Sequence, residues 1–406
     1  MPHPHTDIGA PSELKRLWTA IFFLFLGFGM YSACAANFAT EVIKIWPMGI
    51  GYLEAVRELP GFLCVFVAAL TMRIAEPVLG AIAITLTAGG VAAYAGVHGV
   101  PSLLVWSFVW SVGMHTWMPI SSSLTLNLAE DEYKGKRMGQ TAGFGSVGGL
   151  LGMIAVARVG HGLSYSQWFI LAGVLISIGA VVLLTLRRDI GNMDKPRLVW
   201  KPRFRRYYML SLLEGARKQV FFTFAPYTLT KVYGAPLSII ATLMVINNLV
   251  NIIGAPMVGR LIDRIRERRI LMVSYSALII VFLLYGTIHR APQMLGMSVG
   301  YVFPILCVLF CLDNLFYLST TCLTTYLQKI AGPEDLMPTL SMGVTMNHTA
   351  AVTVPLIGGF LWSRFSYPIM FFAGAIVVVM SLFVAAGMGA QKPQQPILSE
   401  MQEVAL

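Results

Sequence analysis

Residues 259–289 read GRLIDRIRERR followed by ILMVSYSALIIVFLLYGTIH, which is a basic loop and then 20 residues without an acidic or strongly basic side chain. An α-helix needs about 20 mostly apolar residues to cross the hydrocarbon core of a bilayer. The run at 270–289 therefore predicts a transmembrane helix. The arginines before it predict that this helix begins at the cytoplasmic face of the membrane.

The same kind of apolar run recurs along the whole chain of 406 residues, of which 56% are hydrophobic and 12% charged. A soluble domain carries about 25% charged residues, so this composition excludes an ordinary soluble protein. We predict an all-α membrane protein with about twelve transmembrane helices. The expected spans are 17–41, 47–72, 77–98, 101–127, 138–160, 164–186, 207–233, 236–259, 270–289, 296–327, 339–362 and 367–388.

The basic residues are divided unequally between alternate loops. Most of the 29 Lys and Arg residues fall on one side, in the loops around 134–137, 187–206 and 260–269. This positive-inside bias predicts that both termini are cytoplasmic and that the protein spans the inner (plasma) membrane. The net charge of +10 is thereby explained by the bilayer, and no nucleic-acid partner is expected. The opposite side carries Lys44, Arg158, Lys231, Arg290 and Arg364.

The longest basic loop, 187–206, divides the predicted spans into six and six. Two halves of this kind are typical of secondary transporters, which rock two helix bundles about a central binding site. The expected organisation is a cytoplasmic tail at 1–16, a six-helix bundle at 17–186, a cytoplasmic linker at 187–206, a second six-helix bundle at 207–388 and a cytoplasmic tail at 389–406.

The loop after the eighth span resembles the signature G-x-x-x-D-R-x-G-x-R-R of the major facilitator superfamily. Arg266 replaces the second glycine, and after the second span only Arg73 of the motif remains. The resemblance implies the family's fold, two pseudo-symmetric six-helix bundles, and a gating role for Gly259, Asp263 and Arg264. The alternative is that the basic residues anchor a helix end at the headgroups. The matching residues are Gly259, Asp263, Arg264, Arg268 and Arg269.

Glycine pairs in two spans are similar to a pattern of proton-coupled antiporters in the family, G-x-x-x-G-P-x-x-G-G. The fifth span has Gly148 and Gly149 without the proline, and the eleventh has Pro355 followed by Gly358 and Gly359. Close packing of helices explains the same glycines. Antiport therefore remains one alternative beside symport.

The second span carries three charged residues, Glu54, Arg57 and Glu58, on one helix face, because they are three and four positions apart. Charges inside a membrane are costly and usually face the bundle interior or a water-filled cavity. Two carboxylates beside one arginine predict that one of them binds a proton, so we assign these residues to proton coupling. The alternative is a self-neutralising structural network.

The seventh span also carries three charged residues at spacings of three and four, Glu214, Arg217 and Lys218. Here two bases accompany one acid, whereas the second span has two acids and one base. A cavity that contains Arg217 and Lys218 would favour an anionic substrate such as a carboxylate. We therefore assign both to substrate binding, together with Tyr227 on the same span, and Glu214 to coupling. A structural network is again the alternative.

The remaining polar residues within spans are uncharged or isolated. Asp313 in the tenth span is a candidate proton site or a partner of Arg217. His115 and His348 are candidate substrate contacts, and so are Asn247 and Asn251. With Asp313 and nearby methionines, the histidines could also form a transition-metal path. We favour a hydrogen-bonded role for them and assign no metal site.

These residues predict a secondary transporter for a small organic solute, anionic and coupled to protons, working by alternating access. The alternative is a multidrug-type efflux antiporter for amphiphilic compounds, supported by 23 Phe and 22 Met. A carrier of transition metals or metal chelates is less favoured. No nucleophile and base set or phosphate loop is present in the sequence, so we expect neither an enzyme nor a cofactor. We expect a monomer.

Overall fold

The computed structural model describes residues 10–63, 74–190 and 200–388, and all regular structure in these ranges is helical. We number the long helices α1 to α12 in chain order. Their bounds are α1 Ala10–Asn37, α2 Pro47–Phe62, α3 Glu76–Ala92, α4 Val100–Leu128, α5 Lys134–Val159, α6 Tyr165–Leu183, α7 Arg205–Lys231, α8 Leu237–Arg264, α9 Glu267–Thr287, α10 Val302–Tyr317, α11 Pro333–Phe365 and α12 Pro368–Ala386.

The predicted all-α bundle of about twelve helices is confirmed. In the described part of the chain, nine helical segments are long and apolar enough to cross a membrane. The helices outside that set are α2, α4 and α7. Two of these three, α2 and α7, carry the charge clusters singled out in the sequence, and α4 carries His115.

Two helices differ in detail from the predicted spans. The first helix ends in a π-helical turn, Phe38–Val42. The tenth begins at Val302 rather than 296, and a 3-10 turn at Leu318–Thr320 connects it to a further helix, Thr321–Ile330. The predicted end of the second span, like Arg73, lies outside the described residues.

Local sequence sets where several helices begin. Proline occupies the first turn of α2, α3, α4, α11 and α12. At that place its missing N–H costs nothing, because the first four N–H groups of a helix have no intrahelical partner. Helix α6 begins instead with a capping box, in which the Ser164 side chain accepts from the Gln167 backbone N–H.

The packing of the first six helices is repeated by the last six. Helix α1 packs on α5 and α6, as α7 packs on α11 and α12, and α3 packs on α4 and α6, as α9 packs on α10 and α12. The two halves meet through α2 against α11 and through α5 against α8. These two contacts are equivalent under a pseudo-two-fold relation, in which each helix corresponds to the one six places later.

The two ends of the bundle differ in how closely α5 and α8 are surrounded. We call the end with the α1–α2 and α7–α8 connections, residues 43–46 and 232–236, the turn end, and the opposite end the basic end. Near the turn end, a Cβ on Gly160, the residue after α5, would lie 3.9 Å from Leu237 of α8. Towards the basic end, Gly135 and Gly139 of α5 and Gly259 of α8 have open space around them.

The turn end is closed by two reciprocal hydrogen bonds, which we call the clasp. Asn37 of α1 donates to the Ala235 carbonyl over 2.8 Å, and Tyr227 of α7 donates to the Ile45 carbonyl over 2.9 Å. Both donors and both acceptors are separated by 190 positions in sequence. The connecting turns also match, because the residues before the acceptors, Lys44 and Gly234, have φ of 53° and 64°.

The clasp predicts that removing one hydrogen bond will loosen the turn end. Tyr227→Phe should lower the free energy that holds the turn end closed by about 0.5–1.5 kcal/mol, which is the net contribution of one hydrogen bond. Hydrogen–deuterium exchange of the amides in 43–50 and 232–240 should then become several-fold faster.

Tyr233→Phe is the matched control. Its hydroxyl is also at the turn end, but its hydrogen bond, 2.9 Å to Tyr367, stays within the second half. Equal acceleration of exchange in both variants would contradict a specific role for the clasp.

Candidate functional site

A cavity of about 520 Å³ lies between the two halves. Its wall comes from α1, α2, α4 and α5 of the first half and from α7, α8 and α10 of the second. Nine of the residues that the sequence assigned to binding or coupling line it. They are Glu54, Arg57, Glu58, His115, Lys218, Tyr227, Asn247, Asn251 and Asp313.

The charged side chains of α2 have their partners in different halves of the protein. Arg57 forms an ion pair with Glu54 and donates to the Tyr31 hydroxyl over 2.7 Å. Its guanidinium also lies 5.6 Å from the centre of the Trp110 ring. These partners all belong to the first half, so Arg57 is held within that half.

Glu58 does not share Arg57 with Glu54, as the spacing had suggested. It accepts instead from Gln219 of α7 over 3.2 Å and is 3.0 Å from Nδ1 of His348 on α11. Both partners belong to the second half. Glu58 therefore links the two halves directly, at the side of the cavity, and the coupling role of Glu54, Arg57 and Glu58 stays a prediction.

The two histidines lie together, with ring centroids 5.3 Å apart. Nδ1 of His115 is 3.0 Å from the Ser111 carbonyl, one turn earlier in α4. His348 lies behind Glu58 and is not part of the cavity wall. Asp313 does not join the histidines, so the metal path considered from the sequence does not form with that residue.

Arg217 is fully buried, at 0% exposure, between two carboxylates. Its guanidinium donates to Glu214 over 2.6 and 3.2 Å and to Asp313 of α10 over 3.3 Å. It also lies 5.4 Å from the centre of the Tyr317 ring. Only Asp313 of this triad lines the cavity, and the assignment of Arg217 to substrate binding stays a prediction.

Lys218 turns away from Glu214 and faces the cavity. Its ammonium lies 5.6 Å from the centre of the Phe222 ring, and no carboxylate of the described side chains is within 4.0 Å of it. Glu54 and Glu58 act on it through space at longer range. Lys218 is thus the cavity cation that remains available to a solute.

Amide side chains form the opposite wall on α8 and α10. Asn314 donates to the Asn247 carbonyl and to Oδ1 of Asn251, each over 3.1 Å. Oδ1 of Asn247 is buried and has no hydrogen-bond partner. A buried oxygen without a partner costs free energy, which a hydrogen-bond donor on a solute would recover.

The motif residues lie far from this cavity, at the basic end. Gly259 has open space around it, and Arg264 ends α8. The side chain of Asp263 is outside the described side chains. Nearby, Lys329 pairs with Glu267 at 2.5 Å, which ties the end of the Thr321–Ile330 helix to the start of α9. The gating role of Gly259, Asp263 and Arg264 stays a prediction.

Sequence reasoning missed several residues of the site, among them Tyr31, Trp110 and Gln219. All are uncharged, so the search for charges within spans passed over them. An alignment of the two halves pairs Tyr31 with Phe221, which lies 190 positions later in the sequence. Both of these aromatic residues line the cavity.

Comparisons with known proteins agree with this architecture. The family profile described as Major Facilitator Superfamily matches residues 17–291 and 207–403. The chain belongs to the major facilitator superfamily. It is therefore a multi-pass membrane transporter and not an enzyme. No curated protein is detectably similar to it in sequence.

Solved structures of this family share the fold at low sequence identity. A mutant of the nucleoside transporter NupG superposes with a TM-score of 0.77 at 14% identity, covering 93% of this chain and 100% of that one. A POT family transporter in complex with a thioalcohol-conjugated peptide has a TM-score of 0.70 at 14% identity, covering 92% and 95%. A D-xylose-proton symporter has 0.67 at 12% identity, covering 93% and 98%.

The buried triad predicts a large loss of stability when Arg217 is removed. Arg217→Met leaves Glu214 and Asp313 without their cation, which should cost about 3–5 kcal/mol of unfolding free energy. Adding Glu214→Gln and Asp313→Asn should recover much of that loss, because no buried charge then remains. Thermal unfolding of the purified protein measures both effects.

Arg290→Met, at an exposed arginine, serves as the control and should leave unfolding nearly unchanged. A triple variant as unstable as Arg217→Met alone would show that packing, and not charge, explains the loss.

Proposed function

We propose that this protein is a proton-coupled secondary transporter of a small organic solute that bears an anionic group. The supporting observation is that one cavity between the halves contains both an unpaired cation, Lys218, and a carboxylate, Asp313, that shares a buried arginine. In this proposal Lys218 binds the anionic group of the solute, and Asp313 binds the proton. Two proteins with the same fold, a nucleoside transporter and a D-xylose-proton symporter, support the choice of a small organic solute.

Alternating access follows from the asymmetry between the ends of the bundle. The clasp closes the turn end, whereas Gly135 and Gly139 of α5 and Gly259 of α8 have open space around them towards the basic end. With the charge bias of the loops, the basic end is cytoplasmic, so this conformation faces inward. In this proposal the protein lies in the inner membrane with both termini in the cytoplasm and works as a single chain.

Asp313 is the proton carrier in this proposal. When it is ionised, Arg217 binds it; when it takes a proton from the cavity, Arg217 retains Glu214 as its partner. The change in pairing gives the cavity two electrostatic states. Such a change of partners within a fixed network is one way to bias a conformational equilibrium.

Asp313→Asn should abolish accumulation driven by a pH gradient and retain solute exchange, because the solute site keeps Lys218 while the exchangeable proton is lost. A thermal-shift screen with small carboxylates, phosphates, sugars and nucleosides first identifies a ligand. Flux into proteoliposomes, with and without a pH gradient, then measures the effect.

Asp189→Asn, at an exposed aspartate of the basic end, is the matched control. Gradient-driven accumulation that persists in Asp313→Asn would refute the assignment of the proton to this residue.

Lys218→Met should weaken binding of an anionic ligand by about 10- to 100-fold, the equivalent of losing about 1.5–3 kcal/mol from a hydrogen bond to a charged group. Titration calorimetry with the ligand found in the screen measures this change. Lys231→Met, on the same helix but exposed at its end, should have no effect.

The second candidate function is efflux of amphiphilic compounds. The aromatic wall of the cavity favours it, since flat apolar faces bind such molecules without strict geometry. This function predicts that Lys218→Met binds amphiphilic cations as well as or better than the unsubstituted protein and that no anionic ligand emerges. The aromatic residues of the wall are Phe28, Tyr31, Trp110, Phe221, Phe222, Tyr227, Phe310 and Tyr317.

A further inference from the structure

Three potential metal ligands from three helices come together beside the cavity. Glu58 of α2, His115 of α4 and His348 of α11 each offer one ligand atom, and these atoms all lie within 4.8 Å of one another. We propose that these side chains form a binding site for a divalent transition metal, with Zn²⁺ as its representative. The bound ion bridges the two halves and holds the turn end closed.

The donor set selects the class of ion. Two imidazoles and one carboxylate are a common zinc ligand set, and they leave a fourth position for a water molecule from the cavity. Mg²⁺ and Ca²⁺ prefer sites made entirely of oxygen atoms. The three side chains are half-buried, so an ion can enter from the cavity while part of its hydration is replaced.

The orientation of His115 is already that of a metal ligand. Its Nδ1 lies 3.0 Å from both the carbonyl and the hydroxyl of Ser111. The carbonyl can only accept, and the hydroxyl donates its hydrogen to the Arg57 carbonyl, so this arrangement places the proton on Nδ1. The other ring nitrogen, Nε2, keeps its lone pair. Histidines that bind metals usually donate their second N–H to a carbonyl or carboxylate in this way, which fixes the ring.

Glu58 is the acid of the cavity that remains available to an ion. Glu54 is paired with Arg57, and Asp313 with Arg217. Within the described side chains, the ionic contact of Glu58 is with His348 at 3.0 Å. That hydrogen bond needs a proton between its two atoms, and a divalent ion can take the proton's place.

Gly61 makes room for both imidazoles. A Cβ at this position would lie 2.5 Å from Cε1 of His348 and 2.6 Å from Cδ2 of His115. Glycine inside a helix costs about 1 kcal/mol relative to alanine. The space it leaves is occupied by the two rings that complete the site, which ties this glycine to the cluster.

The site spans the interface that must open when the transporter changes state. Helices α2 and α11 pack against each other between the site and the turn end, where a Cβ on Gly51 would meet the Pro355 carbonyl. An ion bound to both helices adds bonds that exist only while they are together. Metal binding therefore stabilises this conformation and, given the alternating access proposed above, inhibits transport, whereas the binding itself requires neither the solute nor a pH gradient.

Titration calorimetry with ZnCl₂ on the purified full-length protein tests the site. Glu58→Gln, His115→Gln and His348→Gln should each weaken Zn²⁺ binding by about 10-fold or more, as should Gly61→Ala, which keeps every ligand and fills the space between the rings. His98→Gln, at an exposed histidine before α4, should bind as the unsubstituted protein does, and MgCl₂ should give no binding. A His348→Gln variant with unchanged Zn²⁺ affinity would overturn the proposal.

Hydrogen–deuterium exchange at the turn ends of α2 and α11 tests the bridge. Zn²⁺ should slow exchange there several-fold in the unsubstituted protein and in His98→Gln, but not in His348→Gln. Proteoliposomes loaded with a Zn²⁺-sensitive dye supply the second readout. Unchanged exchange in the presence of Zn²⁺ would overturn the bridging role. Accumulation of Zn²⁺ in the liposomes through the protein would also overturn it, because the ion would then be a transported substrate.

Discussion

The reciprocal clasp at the turn end is the constraint on which the rest of the architecture depends. Asn37 and Tyr227 occupy equivalent positions in the two halves, and each donates to the main chain of the opposite half. The cavity lies between the halves, and its wall comes from α1, α2, α4 and α5 of the first half and from α7, α8 and α10 of the second.

Among the described side chains, the charges beneath the clasp mostly follow one physical rule, which is that a strong charge in the bundle interior is paired within its own half. Arg57 is satisfied within the first half and Arg217 within the second, each by acids on its own or a neighbouring helix. Two groups depart from the rule in an informative way. Lys218 faces the cavity without a close acid, and Glu58 reaches across to the opposite half. These departures are where the protein can interact with something besides itself.

Much of the fold was predictable, since helix length and apolar composition are properties of contiguous sequence. The charge clusters were also visible, because a charge in an apolar run is conspicuous. The partners that a side chain has on other helices were harder to predict. Helical spacing placed Glu58 beside Arg57, but a side chain with several rotatable bonds chooses between neighbours that only the tertiary packing supplies. Gln219 and His348, the partners it took, lie on α7 and α11. The pairing of Asp313 with Arg217 was considered from the sequence because both charges needed a partner.

The clasp uses main-chain carbonyls as its acceptors, and this has a consequence for how the protein can change over time. A substitution at Ile45 or Ala235 leaves the carbonyl in place, so side-chain substitutions can remove the clasp hydrogen bonds only at the two donors. Each donor can be weakened or strengthened separately, in small increments, without altering the turns themselves. The strength of the clasp can therefore be retuned at Asn37 without changing the cavity wall, whereas a substitution at Tyr227 also changes that wall.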